Sequence, residues 1–168
     1  ISKQYVEAEG SRNLNLHLIT PGEFVGLTAV FAERKFNYSV TALSDTRVFL
    51  IETDAISRLI QMNADFSFKI TKRYYLSNAG FYENLHNLFY KQLNGRMANV
   101  LLYIDGFKNH NPDIFSLLTR KDLAEFAGMS TESAVKILKS FEKDGLLQLD
   151  EKNIRIIRPD RIREISKT

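Results

Sequence analysis

The sequence predicts an α+β protein: a partial antiparallel β-roll, then a long helix, then two short helices closed by a hairpin. Three observations predict it. The first fifty residues alternate apolar and polar side chains between turn residues, the period of strands. A proline-free stretch from Ala64 to about Phe89 carries a helical period instead. Near the C-terminus, two capped helical segments flank a glycine and lead into two short strand-like runs.

Composition sets the bounds. The chain has 168 residues, of which 44% are apolar, enough to build a core. Cysteine is absent, which excludes disulfides, Cys-ligated zinc and iron–sulfur clusters from this stretch and suits a cytoplasmic protein. No apolar run approaches the roughly 18 residues of a membrane span. The net charge of +3 is unevenly placed. Residues 1–62 carry −1, residues 63–118 carry +2 and residues 119–168 carry +2, the last with 11 basic and 9 acidic side chains. So modest an excess does not by itself mark a nucleic-acid binder; the placement of the charges has to.

Ile1 to Val6 reads as a strand entered partway, so the sequence predicts further chain upstream. Leu14, Leu16 and Leu18 alternate with polar residues as a half-buried strand, and Thr20-Pro21-Gly22 turns the chain. Tyr38 to Leu43 and Arg47 to Ile51 are two more strand-like runs. Thr53 or Asp54 caps a short helix, and Asn63 opens the long one. Along it Tyr74, Asn78, Phe81, Leu85 and Leu88 step by 4, 3, 4 and 3, a heptad-like seam with one polar position. A helix of about twenty-five residues spans roughly 38 Å. Such a helix either packs along the roll or pairs with a second copy, and its length favours the pair. Asn94-Gly95 marks a break before a helix from Arg96 to Ile104. The implied divisions are 1–62, 63–93 and 94–168.

Thr119-Arg120-Lys121-Asp122 fits a capping box. Gly128 follows as the turn, and Ser130 caps the next helix. There Ala134, Ile137, Leu138 and Phe141 form one apolar face, and Glu132, Lys136, Lys139 and Lys143 the opposite polar one. Leu146 to Leu149 and Ile154 to Arg158 then form a hairpin across Asp150 to Asn153. Helix, turn, helix and hairpin in this order describe a winged helix-turn-helix. Its second helix suits the major groove of duplex DNA, N-terminal side chains toward base edges. The base-reading candidates are Thr131, Glu132, Ser133 and Lys136; Glu132 suits cytosine N4, and Lys136 suits guanine O6 or N7. Thr119, Arg120, Ser130, Lys139, Lys152 and Arg155 are the phosphate candidates. The plain alternative makes Glu132 and Lys136 an i,i+4 surface pair worth tenths of a kcal/mol. A second alternative is an interaction module whose winged helix binds protein.

Pro21-Gly22-Glu23-Phe24-Val25-Gly26-Leu27, Asn94-Gly95-Arg96-Met97-Ala98 and the segment from Thr119 to Ser133 together resemble the Crp/Fnr family of bacterial transcription regulators, over nearly the whole chain. The resemblance implies a homodimer on a two-fold-symmetric DNA site, with the long helix as the coiled interface and RNA polymerase as a further partner. It places base contacts on Thr131, Glu132, Val135 and Lys136, with Lys136 where the family has Arg. Lysine lacks the planar fork that grips guanine bidentately.

The family's cyclic-nucleotide site needs an Arg and then Ser or Thr before the strand at Ser39, where an ungapped alignment puts Phe36 and Asn37. Arg34 and Lys35 substitute only if the loop slips by two residues. With Gly22, Glu23, Asn37, Phe81 and Tyr82 they make up the effector-pocket candidates. The departures argue against cyclic AMP and leave a small-molecule effector unnamed. No cofactor or metal site is expected, because His17, His86 and His110 are scattered. Nor is an enzyme: no catalytic triad, P-loop or dinucleotide glycine fingerprint is present.

Overall fold

The computed structural model describes residues 1–7, 13–31 and 36–168; the side chains at 77–79, 81 and 83 also lie outside the described set. The chain combines two small antiparallel sheets with six α-helices among the described residues. Strands β1 (Ser2–Val6), β2 (Leu14–Ile19) and β3 (Ser39–Ala42) form one sheet in the order β2-β1-β3. Lys3 pairs with Leu18 on one side and Thr41 on the other, and the register shifts between Gln4 and Tyr5. The alternation that predicts β2 is altered at Asn15, which is buried. Its amide nitrogen donates to the Asp122 carbonyl 3.0 Å away, which holds a polar residue where alternation puts it outward, although its Oδ1 is buried without a partner.

Arg47 to Ile51 is not a strand, contrary to its β-rich composition. Among the described residues no strand pairs with it, and β-propensity has no effect without a partner to accept the backbone bonds. Its apolar side chains stand in solvent, Leu50 at 97% exposure.

Helix α1 (Thr53–Met62) takes Glu52 as its cap residue, without a side-chain cap bond, rather than Thr53 or Asp54. Helix α2 (Ala64–Tyr90) starts as its sequence predicts, the Asn63 side chain accepting from the Phe66 amide. It is 27 residues long, about 40 Å at 1.5 Å per residue. Asn94-Gly95 is not a break: α3 runs through it, Leu93–Asp105. A glycine there signals close packing instead, since a Cβ on Gly95 would lie 2.8 Å from the carbonyl carbon of Thr168. The chain end is held there by α6 (Pro159–Ile165), a short helix that the pattern of charges hides in the sequence.

The core gathers around α3. Met97, Leu101 and Ile104 meet Phe115, Leu123, Leu138 and Ile154, all but fully buried. It therefore joins α3 to α4 (Arg120–Phe126), α5 (Thr131–Lys143) and the hairpin of β4 (Leu147–Asp150) and β5 (Asn153–Ile156). No helix among the described residues is long and apolar enough to cross a membrane.

Candidate nucleic-acid interface

Local sequence fixes the geometry of α4 and α5. Thr119 and Asp122 close the capping box in both directions: the threonine hydroxyl accepts from the Asp122 amide, and the carboxylate accepts from the Thr119 amide at 2.7 Å. Gly128 has φ +60°, the left-handed turn that an L side chain resists. The position is also crowded, since a Cβ there would meet Leu88 Cδ2 at 2.3 Å. Ser130 caps α5 by accepting from the Ser133 amide at 3.1 Å. Glu142 accepts from the Leu149 amide at 2.9 Å and ties α5 to the wing.

With Ala134, Ile137, Leu138 and Phe141 buried, the rest of α5 points outward. Thr131, Glu132, Lys136 and Lys139 are exposed; Ser133 and Val135 are half-buried. No ion pair between Glu132 and Lys136 is present among the described residues, so neither head group is consumed by the other. Lys152 and Arg155 are exposed on the wing, whose turn uses a left-handed φ of 46° at Glu151.

The remaining phosphate candidates make hydrogen bonds within the protein. The Thr119 hydroxyl donates to Asp122 at 2.6 Å, and the Ser130 hydroxyl donates to Ser133 at 2.9 Å. Arg120 reaches across to the wing, Nη2 donating to the Glu151 carbonyl at 2.9 Å. Burial lowers its guanidinium from the ordinary value, partly countered by Glu142. The bond to Glu151 braces the first helix against the wing, and Arg120 Nη1 is left buried without a hydrogen-bond partner.

A buried ionic cluster that sequence patterning misses joins the first sheet to this unit. Lys3 of β1 contacts Asp122 directly and Glu125 at 3.6 Å. Lys121 also approaches Glu125, at 3.8 Å. Burial pushes the Asp122 carboxyl up, but hydrogen bonds from Lys3 and Thr119 outweigh it and hold the group below its ordinary range. Only the capping role of Asp122 had a sequence signal; Lys3 lies 119 residues away.

At the proposed effector end, Glu23 accepts from the Thr20 amide at 2.8 Å, closing the turn at Gly22. Phe36 lies over Gly26, its ring 3.2 Å from where a Cβ would stand, and pairs with Tyr38 at 5.8 Å between ring centroids. The Tyr38 hydroxyl in turn accepts from the Gly26 amide at 3.0 Å. Asn37 is exposed; Arg34 and Lys35 lie outside the described residues. The cleft beside Phe36 is edged by Glu52 and Asp54, carboxylates that disfavour a phosphate. Among the described residues no three His, Asp or Glu side chains are grouped as metal ligands.

On α2, Tyr74 is partly exposed, while Leu85 and Leu88 are half-buried, Leu88 against Gly128. Asn78 and Phe81 have side chains outside the described set. Beside them stands an aromatic column: Phe68, Tyr75, Tyr82 and Phe89, seven residues apart, are 70–79% exposed.

Comparison with known proteins agrees with this arrangement. Residues 95–165 match the Crp-like helix-turn-helix domain, and residues 3–63 match the cyclic nucleotide-binding domain. The cAMP-activated global transcriptional regulator CRP of Salmonella typhimurium is 24% identical over 153 residues, covering 89% of this chain and 73% of that protein. Among solved structures, FixK2 from Bradyrhizobium japonicum superposes with a TM-score of 0.83 at 17% identity, over 98% of this chain and 82% of that one. The c-di-GMP responsive regulator CLP of Xanthomonas campestris gives 0.72 at 19% identity, over 92% and 79%. These likenesses establish a CRP-like fold. The chain belongs to the Crp/Fnr family of DNA-binding transcriptional regulators, which are not enzymes.

Proposed function

We propose that the protein acts as a homodimer that reads a palindromic DNA site through the major groove, each copy inserting α5. The observation that carries this reading is the outer face of α5. Glu132 and Lys136 are exposed, unpaired with each other, and lie within two turns of a capped helix start. Thr131 and the half-buried Ser133 and Val135 complete the reading surface, and Lys139, Lys152 and Arg155 supply phosphate contacts. A single copy contributes few such contacts, and two copies on a symmetric site double them.

The dimer forms along α2. Tyr74, Asn78, Phe81 and Leu85 make the seam, widened by the aromatic column from Phe68 to Phe89, while Leu88, which the spacing also assigns to it, packs on Gly128 of its own copy. Seven-residue spacing of large side chains in solvent is the pattern that a supercoiled partner helix covers. The same dimer presents a surface to RNA polymerase in the cytoplasm.

The effector is not cyclic AMP. Phe36 and its packing on Gly26 and Tyr38 put aromatic carbon where the resemblance requires an arginine for the phosphate. A titration of the chain with cyclic AMP, followed by calorimetry, is predicted to give no saturable heat; micromolar binding would refute this part. For DNA, a selection from random duplexes is predicted to enrich an inverted repeat. A chain that enriches nothing while binding a protein partner through α5 would establish the protein-binding alternative.

A further inference from the structure

A cavity of about 450 Å³ opens between the first sheet, α2, α3 and the end of α4. It is separate from the Gly22–Glu23 turn, and its size is within the range of small-molecule sites. Gln4 and His17 reach it from the sheet, Asn84 and Asn87 from α2, and Arg96 and Asn99 from α3. Leu16, Leu88 and Phe126 supply apolar wall.

Arg96 is the one cation among the described lining residues at neutral pH, since burial lowers His17 from 6.5, and none of those residues is an acid. It forms no ion pair among the described residues. Its Nη1 donates to the Gly128 carbonyl at 3.3 Å, and its Nε is buried with no hydrogen-bond partner. A guanidinium has five donors, so most of its capacity is unspent. A half-buried arginine without a carboxylate is costly unless something anionic completes it. Asn84 already donates to the Leu16 carbonyl and Asn99 to Asn87 and the Ser166 carbonyl, so the amide nitrogens of Gln4 and Asn87 are the carboxamide donors left for a polar head group.

We infer that this cavity binds a small organic anion, a carboxylate or a phosphate monoester, with its head group on Arg96 and its body against Leu16, Leu88 and Phe126. The site touches the sheet, the long helix and the turn before α5 together. Through the Gly128 carbonyl, Arg96 connects the ligand to the residue that sets the angle between α4 and α5. Ligand binding stands on the cavity alone; its effect on DNA affinity rests on reading α5 as the DNA-binding helix.

The test uses the full chain and three probes of similar shape: benzoate, phenyl phosphate and neutral benzamide, with inorganic phosphate as a fourth. Calorimetry is expected to show saturable binding of benzoate, phenyl phosphate or both, and none of benzamide. Inorganic phosphate binding as well as phenyl phosphate would show that the apolar wall contributes nothing, and would overturn the organic part. Arg96→Met is expected to weaken binding about tenfold or more, the loss of a charge-assisted hydrogen bond. Gly80→Leu fills the cavity from α2, where an added Cβ meets nothing within 4 Å and leucine favours the helix. It is expected to abolish binding with the fold intact, which keeps the test decisive if Arg96→Met unfolds. Arg58→Ala, which removes an exposed cation of α1 outside the cavity lining, is expected to bind as the parent does. No saturable anion binding, or equal binding in Gly80→Leu, overturns the proposal. A bound anion that shifts DNA affinity in the parent but not in Gly80→Leu supports the coupling. Anion binding by a chain that binds no DNA would refute the reading of α5 and leave the cavity site standing.

Discussion

Lys136 stands on the outer face of α5 without an ion-pair partner among the described residues, so removing its ammonium disturbs little inside the protein. Lys136→Ala is predicted to weaken binding to the selected site by about 1–3 kcal/mol and to relax one base-pair preference. An equal loss on random DNA would assign it to phosphate instead. Lys3 behaves in the opposite way, being buried against Asp122 and Glu125. Lys3→Met removes the buried cation shared by Asp122 and Glu125, leaving Asp122 to its Thr119 hydrogen bonds and Glu125 to Lys121 at 3.8 Å, and is predicted to cost about 3 kcal/mol in denaturant titration. The pH response follows from the same group. Asp122 lies below its unfolded value of 3.8, so its contribution is complete above that value and is lost as pH falls through the folded one. His17 acts earlier. Burial lowers it from 6.5, outweighing the opposing pull of Glu23, so the unfolded chain takes up its proton first and stability falls as pH drops below 6.5. His17→Gln is predicted to flatten melting temperature against pH over that interval; an unchanged slope would assign the loss to another group.

At the scale of elements, legibility depended on how local the cause is. The capping box at Thr119, the left-handed Gly128 and the apolar face of α5 are set within a few residues of chain, and the sequence predicts all three. Arg47 to Ile51 and Gly95 depart from their sequence pattern because their state depends on distant partners: no strand neighbour among the described residues in one case, the chain end in the other. The Lys3–Asp122 contact and the brace from Arg120 to Glu151 have no periodic trace at all. Of the phosphate candidates, Lys139, Lys152 and Arg155 are exposed and Arg120 is half-buried with one bond to the wing, a difference in exposure that only coordinates show. Gly128→Ala tests the turn. It combines a left-handed backbone with a clash against Leu88, and a loss of about 2 kcal/mol or more is predicted in thermal melts. A neutral result would show that the turn relaxes freely.

For the whole molecule, the central claim joins α2 to α5: the long helix pairs two copies so that two reading helices meet one duplex. Leu85→Asp places a charge in the proposed seam and is predicted to give monomers in sedimentation and to abolish tight DNA binding. The most direct single measurement is the affinity of the intact protein for its selected inverted repeat, across a salt series. Contacts from Lys139, Lys152 and Arg155 in two copies predict a steep linear fall of log affinity with log salt, on the order of five counterions, with two chains bound per duplex. Salt-independent binding, or one chain per duplex at full affinity, would contradict the account.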